Sequence, residues 1–132
     1  MRVVLDTNVL VSALNFRGSI PRRLLELVLR GDLQLVTSPR LLDELNEVLT
    51  EDLGWDRPQA LMVRRQFEDL AELVTPSNVP RVCRDPDDDE VLAAAVAGGA
   101  EVVITGDKDL LVLERHGDID IVAPADFLQR SG

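Results

Sequence analysis

The chain has 132 residues and a net charge of -10; 45% of residues are hydrophobic, but only 3% are aromatic. This suits one domain, residues 1–132, with a core built from Leu, Val, Ile and Ala, and it excludes a disordered polymer. One cysteine (Cys83) and one histidine (His116) exclude an internal disulfide and a zinc site of the Cys/His kind, and the acidic balance argues against broad, non-specific nucleic-acid binding.

The elements alternate. Val3 to Leu5 is a short apolar run suited to a strand buried on both faces, and a helix is expected from about Val9 to Leu14. Gly18-Ser19 breaks the chain, and Pro21 opens a helix to about Arg30, stopped by Gly31. Leu33 to Val36 reads as the second strand. Ser38-Pro39 supplies an N-cap and a first-turn proline for a helix to about Glu51. Arg57-Pro58 starts another, reaching about Leu73. Val79 to Val82 reads as a third strand, Asp87 to Ala97 as a helix ended by Gly98-Gly99, and Val102 to Thr105 as a fourth strand. Asp109 to Leu113 is a short helix, Ile119 to Val122 the last strand, and Pro124 to Gln129 a closing helix. Alternation of this kind predicts an α/β fold with a parallel sheet covered on both faces, whose ligands bind beyond the carboxyl ends of the strands. The chain enters a strand at once, and no apolar run approaches the ~20 residues of a membrane span. A soluble protein of the reducing cytoplasm is expected, with no membrane association.

Acids stand at several strand ends and helix starts. Asp6 follows the first strand and Asp107 the fourth, so they meet if those strands are neighbours. Glu44 lies on the margin of the apolar stripe Leu41, Leu42, Leu45, Val48 and Leu49. The run Asp85-Pro86-Asp87-Asp88-Asp89-Glu90 opens a helix. Gathered carboxylates resist ionising together, and a divalent cation with oxygen ligands resolves that conflict. Each acid also has a local explanation: Asp6 as an N-cap, Glu44 as a boundary residue, Asp87 and Glu90 as a capping box, and Asp107 and Asp109 as turn residues around Lys108. From the run, Asp89 is the expected contributor because it stands just before the apolar stretch Val91 to Ala95; Asp88 and Asp85 are the alternates. Thr105 can orient a carboxylate through its hydroxyl. His116 reads as a surface-loop residue, and Cys83 as an unactivated core thiol.

Taken in order, Asp6-Thr7-Asn8, Glu44 after Ser38-Pro39, the run to Asp89 before an Ala-rich helix, and Thr105-Gly106-Asp107 resemble the PIN-domain family of metal-dependent nucleases, most closely its VapC-type toxin branch. The resemblance spans Arg2 to about Leu128. It implies a three-layer α/β/α fold with sheet order 3-2-1-4-5. It also implies one pocket holding Asp6, Glu44, Asp89 and Asp107 with Mg2+ or Mn2+, with Asp88, Asp85 and Asp109 as alternative ligands and Asn8 supporting the first acid. The implied activity is hydrolysis of RNA phosphodiesters, with Arg17, Arg22, Arg23 and Arg40 as candidate contacts to the RNA backbone. The implied partners are a small antitoxin protein and a second copy of the chain. Two other readings stay open: a haloacid-dehalogenase-type phosphotransferase, whose usual second Asp is replaced here by Asn8, and a non-catalytic RNA-binding module on the same scaffold.

Overall fold

The computed structural model describes the backbone of residues 1–131 and the side chains of residues 1–130. Its sheet has six strands: β1 (Arg2–Leu5), β2 (Gln34–Thr37), β3 (Glu72–Leu73), β4 (Val102–Ile104), β5 (Arg115–His116) and β6 (Ile119–Val122). Their spatial order is β3-β2-β1-β4-β6-β5, and every neighbouring pair is parallel except the β5–β6 hairpin. The five parallel strands stand in the expected order, with β6 as the fifth and the hairpin strand β5 added at the edge.

Among the described residues, six α-helices lie between the strands and a seventh follows the last: α1 (Thr7–Asn15), α2 (Ile20–Leu29), α3 (Pro39–Glu47), α4 (Arg57–Leu70), α5 (Pro86–Ala97), α6 (Lys108–Leu111) and α7 (Pro124–Ser131). A π turn, Val48–Asp52, prolongs α3. Side chains alternate across β1. Val3 and Leu5 enter a core with Leu10, Leu24, Leu42, Leu45 and Phe67, while Val4 enters a second core with Val91, Leu92, Ala95 and Leu110 from α5 and α6. Helices thus cover both faces. Burying a side chain such as Leu92 is worth about 1.5–3 kcal/mol, so α5 is held by its apolar face. None of the helices is long and apolar enough to cross a membrane, among the described residues.

Four expectations need correction. The stretch Val79 to Val82 is not a strand. Pro80 lacks an N–H, and the N–H of Val82 goes to the Asp89 carboxylate instead of a neighbouring strand. The third strand is instead Glu72–Leu73, because α4 stops at Leu70 and the chain turns to pair with β2. Helix α5 starts earlier than the capping box at Asp87 would have it: Asp85 is the N-cap, accepting from Asp87 N at 2.9 Å, and Pro86 is the first helical residue. This repeats the Ser38-Pro39 device of α3, where Ser38 Oγ accepts from Leu41 N at 3.2 Å. His116 belongs to β5 and is half-buried, because the chain folds back on itself at Gly117, whose φ of 61° suits a residue without a Cβ.

Candidate metal centre

Alternation continues past the strand ends and sets the site. Asp6 follows Val4 on the face that α5 covers, and Thr105 follows Val103 on the same face. The parallel register of β1 and β4 sets these two residues side by side: Asp6 N donates to the Ile104 carbonyl at 3.0 Å, and the Thr105 hydroxyl donates to Asp6 Oδ2 at 2.7 Å. Thr7 N donates to Asp6 Oδ1 at 2.7 Å, and the Asn8 side-chain amide donates to Asp6 Oδ2 at 3.3 Å. Asn8 Oδ1 in turn accepts from Gly106 N at 3.1 Å, which ties the loop after β4 to the start of α1. Asp6 therefore caps α1 with the same carboxylate that the β1–β4 register sets beside Thr105.

Asp107 is placed by the same loop. Its N–H donates to Thr105 Oγ1 at 2.9 Å, and its Oδ1 accepts from Asp109 N at 2.9 Å, capping α6. From the other side, the first turn of α5 brings in Asp88. One carboxylate oxygen from each of Asp6, Asp88 and Asp107 lies within 4.8 Å of the others. Asp88 Oδ2 is buried and has no hydrogen-bond partner among the described residues. An all-oxygen set of three carboxyl groups, with one orphaned oxygen, fits a hard divalent cation.

The electrostatics record the same crowding. Burial, and then the neighbouring Asp107, push Asp88 up to about 7, with Asp6 and Asp85 adding to the effect. Burial also raises Asp6, helped by the charge of Asp107, against the lowering effect of its three hydrogen-bond donors. Glu44, half-buried on α3, stands outside the three-acid cluster but feels it: burial, then the charges of Asp6 and Asp87, push it up to about 7. The nearby Thr7 hydroxyl partly offsets this, yet it is buried and makes no well-formed hydrogen bond.

Asp89 does not join the cluster. Its Oδ1 accepts from Val82 N at 3.1 Å and Cys83 N at 2.9 Å. Burial works to raise its pKa, but the Cys83 and Val82 donors outweigh that and hold it below the usual carboxylate value. The member of the run that stands in the cluster is Asp88, one of the two alternates to Asp89. The start of α5 at Asp85-Pro86 carries the signal: it puts Asp88 in the first turn, on one helix face with Val91, Leu92 and Ala95. Asp85 is occupied as the helix cap, and Asp109 is exposed and bonded to Arg84 at 3.3 Å. Cys83 is half-buried and pushed up to about 12, by burial and then by Asp89, so its thiol stays protonated as expected.

The candidate arginines are scattered. Arg40 lies at the start of α3, 3.2 Å from Asp87, the residue before Asp88. Arg17 and Arg22 line a cleft beside α1 and α2, where Arg22 pairs with Glu26 at 3.6 Å, and Arg23 lies against α7.

Residues 2–109 match the PIN domain family. The chain belongs to that family. A relative, an uncharacterized protein of Methanocaldococcus jannaschii, is 35% identical over 118 residues, covering 86% of this chain and 75% of the relative. The PIN-like fold is also shared with VapBC2 of Rickettsia felis, solved bound to a DNA fragment from the promoter (TM-score 0.64, 17% identity, 93% of this chain and 98% of that one). VapBC-1 of nontypeable Haemophilus influenzae matches equally well (TM-score 0.64, 17% identity, 95% and 99%).

Proposed function

We propose that this PIN-domain chain is a metal-dependent endoribonuclease and the toxin component of a toxin–antitoxin pair, acting in the cytoplasm. The observation that carries the reading is the convergence of Asp6, Asp88 and Asp107, three acids distant in sequence. Mg2+ or Mn2+ is the proposed cofactor, held by these three carboxylates. When bound, such an ion lowers the pKa of a coordinated water and offsets charge on the attacked phosphate.

The chain's own residues do the rest. Thr7 N–H, Thr105 hydroxyl and Asn8 amide fix the Asp6 carboxylate, so it needs no reorganisation when substrate arrives. Glu44, beside the cluster, orients the attacking water. In-line attack forms a bond from the water oxygen to phosphorus and breaks the bond to the 3′ oxygen, which takes up a proton. The products are a 5′-phosphate and a 3′-hydroxyl. Arg40, at the edge of the site, contacts the RNA backbone; Arg17, Arg22 and Arg23 are candidates for more distant contacts.

Two of the solved structures sharing this fold are described as VapBC assemblies, which supports a partner of the antitoxin kind. An acidic pocket on a chain of net charge -10 suits a basic antitoxin segment that inserts an arginine. A homodimer is the proposed assembly of the free chain.

The test is cleavage of RNA by chelator-stripped protein with and without added manganese. Activity should require the metal, and Asp6→Asn should abolish it while the circular dichroism spectrum stays unchanged. Equal cleavage by that variant refutes the assignment.

A further inference from the structure

The most telling feature outside the acid cluster is a pair of arginines bound to acids that neighbour its members in sequence. Arg40 Nη2 lies 3.2 Å from Asp87 Oδ1, and Asp87 immediately precedes Asp88. Arg84 Nη2 lies 3.3 Å from Asp109 Oδ1, and the N–H of Asp109 is donated to Asp107. Each arginine is thus tethered to an acid within two residues of a different cluster member. No other arginine does this among the described residues. Both are loosely held: their side chains are 61% and 89% exposed, and each makes a single contact. Arg64 shows the contrast. Its side chain is only 22% exposed, and it bonds Asp43 at 2.6 Å, the Pro39 carbonyl at 3.4 Å and Glu68 at 3.8 Å, which is how a structural arginine is fixed.

Resting on the ribonuclease reading, we propose that Arg40 and Arg84 are the two arms of a clamp on the RNA phosphates flanking the one cleaved, parked on Asp87 and Asp109 until RNA arrives. A chain of net charge -10 repels a polyanion, so cations must be concentrated where the strand lies. An exposed ion pair with one contact adds little stability, so releasing it costs little. A guanidinium has five donors in a planar fork, and phosphate accepts two of them at once, whereas each arm now uses one. Exchange from carboxylate to phosphate therefore favours bound RNA. The arms come from different elements, Arg40 from α3 and Arg84 from the loop before α5, so they hold the strand at two points.

The experiment compares wild type, Arg40→Gln, Arg84→Gln and the double variant. Binding of a labelled single-stranded RNA is followed by anisotropy across a salt series, with calcium in place of manganese to hold turnover off. Cleavage kinetics are measured separately in manganese, and manganese affinity by calorimetry. Each substitution should weaken binding on the order of tenfold. Each should also flatten the plot of log affinity against log salt by roughly 0.7, the value for one lost contact to a single strand. KM should rise with kcat held, and manganese affinity and melting temperature should not move. If wild type cleaves RNA while the variants keep its salt slope and KM, the clamp is overturned and the ribonuclease reading stands. If RNA binds through both arginines but is never cleaved, their grip on RNA phosphates stands, but the ribonuclease reading fails and with it the placing of the clamp around a cleaved phosphate. Absence of both binding and cleavage overturns both.

Discussion

The two ends of the parallel sheet treat charge in opposite ways. Where β1 begins, Arg2 donates Nε to the Gly98 carbonyl at 2.7 Å and Nη1 to Gln34 Oε1 at 3.3 Å, and it pairs with Glu72. One cation there joins β1, β2, β3 and the end of α5. Where β1 ends, Asp6, Asp88 and Asp107 face one another, and none has a cationic partner among the described residues. The first end satisfies its polar groups within the protein. The second leaves like charges crowded and a buried oxygen orphaned, an arrangement that costs stability unless a ligand completes it.

The sharpest way to break this contrast is to substitute one residue at each end. Asp88→Asn should lower manganese affinity by more than the roughly 10- to 100-fold that loss of a supporting residue causes, while raising the melting temperature of the metal-free protein. Arg2→Ala should leave that affinity unchanged. Titration calorimetry and thermal melts read both. Next in size is Asp89→Ala, which leaves the N–H groups of Val82 and Cys83 without their acceptor. Urea denaturation should show a loss of about 2 kcal/mol. Asp88 and Asp89, adjacent in sequence, should thus shift stability in opposite directions.

A further contrast lies in pH. Asp88 and Glu44 titrate near 7 in the folded chain and near 4 when unfolded. Below about 4 both states are protonated and the crowding has no cost. As pH rises through 7 the folded state must give up these protons, so metal-free stability should fall between about pH 4 and pH 7. The rise in melting temperature on adding manganese should accordingly be larger at pH 8 than at pH 5.5. A gain independent of pH would show that the ion binds away from these acids. The smallest effect belongs to Arg2→Ala, about 1 kcal/mol in urea, since its ion pair is partly exposed and its best contact is the Gly98 carbonyl.

The sequence made the scaffold of this site readable for a physical reason. A strand followed at once by Asp-Thr-Asn, and another by Thr-Gly-Asp, can only present those residues at the carboxyl edge once the strands pair in parallel. Ser38-Pro39 likewise set the frame of α3 correctly. The third acid was harder, because five acids fill a six-residue run and a shift of one position turns a side chain by about 100° around the helix. Closeness to the apolar stretch Val91 to Ala95 favoured Asp89, whereas the cap at Asp85-Pro86, the same signal as Ser38-Pro39, sets the frame that turns Asp88 to the cluster. The loop from Val79 to Val82 has strand composition, yet its fate is decided by a carboxylate later in the chain, which local pattern does not reveal. The position of His116 was likewise set by a hairpin of only two residue pairs, Arg115 with Asp120 and His116 with Ile119, too short to show as a strand pattern.

Asp6, Asp88 and Asp107 are proposed to share one divalent ion. A crystal soaked in manganese and measured at a wavelength where the metal scatters anomalously tests it most directly. An anomalous peak within coordination reach of those three carboxylates, with Asp89 still on the Val82 and Cys83 amides, is the expected result. A soaked crystal with no manganese among them, or with the ion held by Asp89 instead, would contradict it.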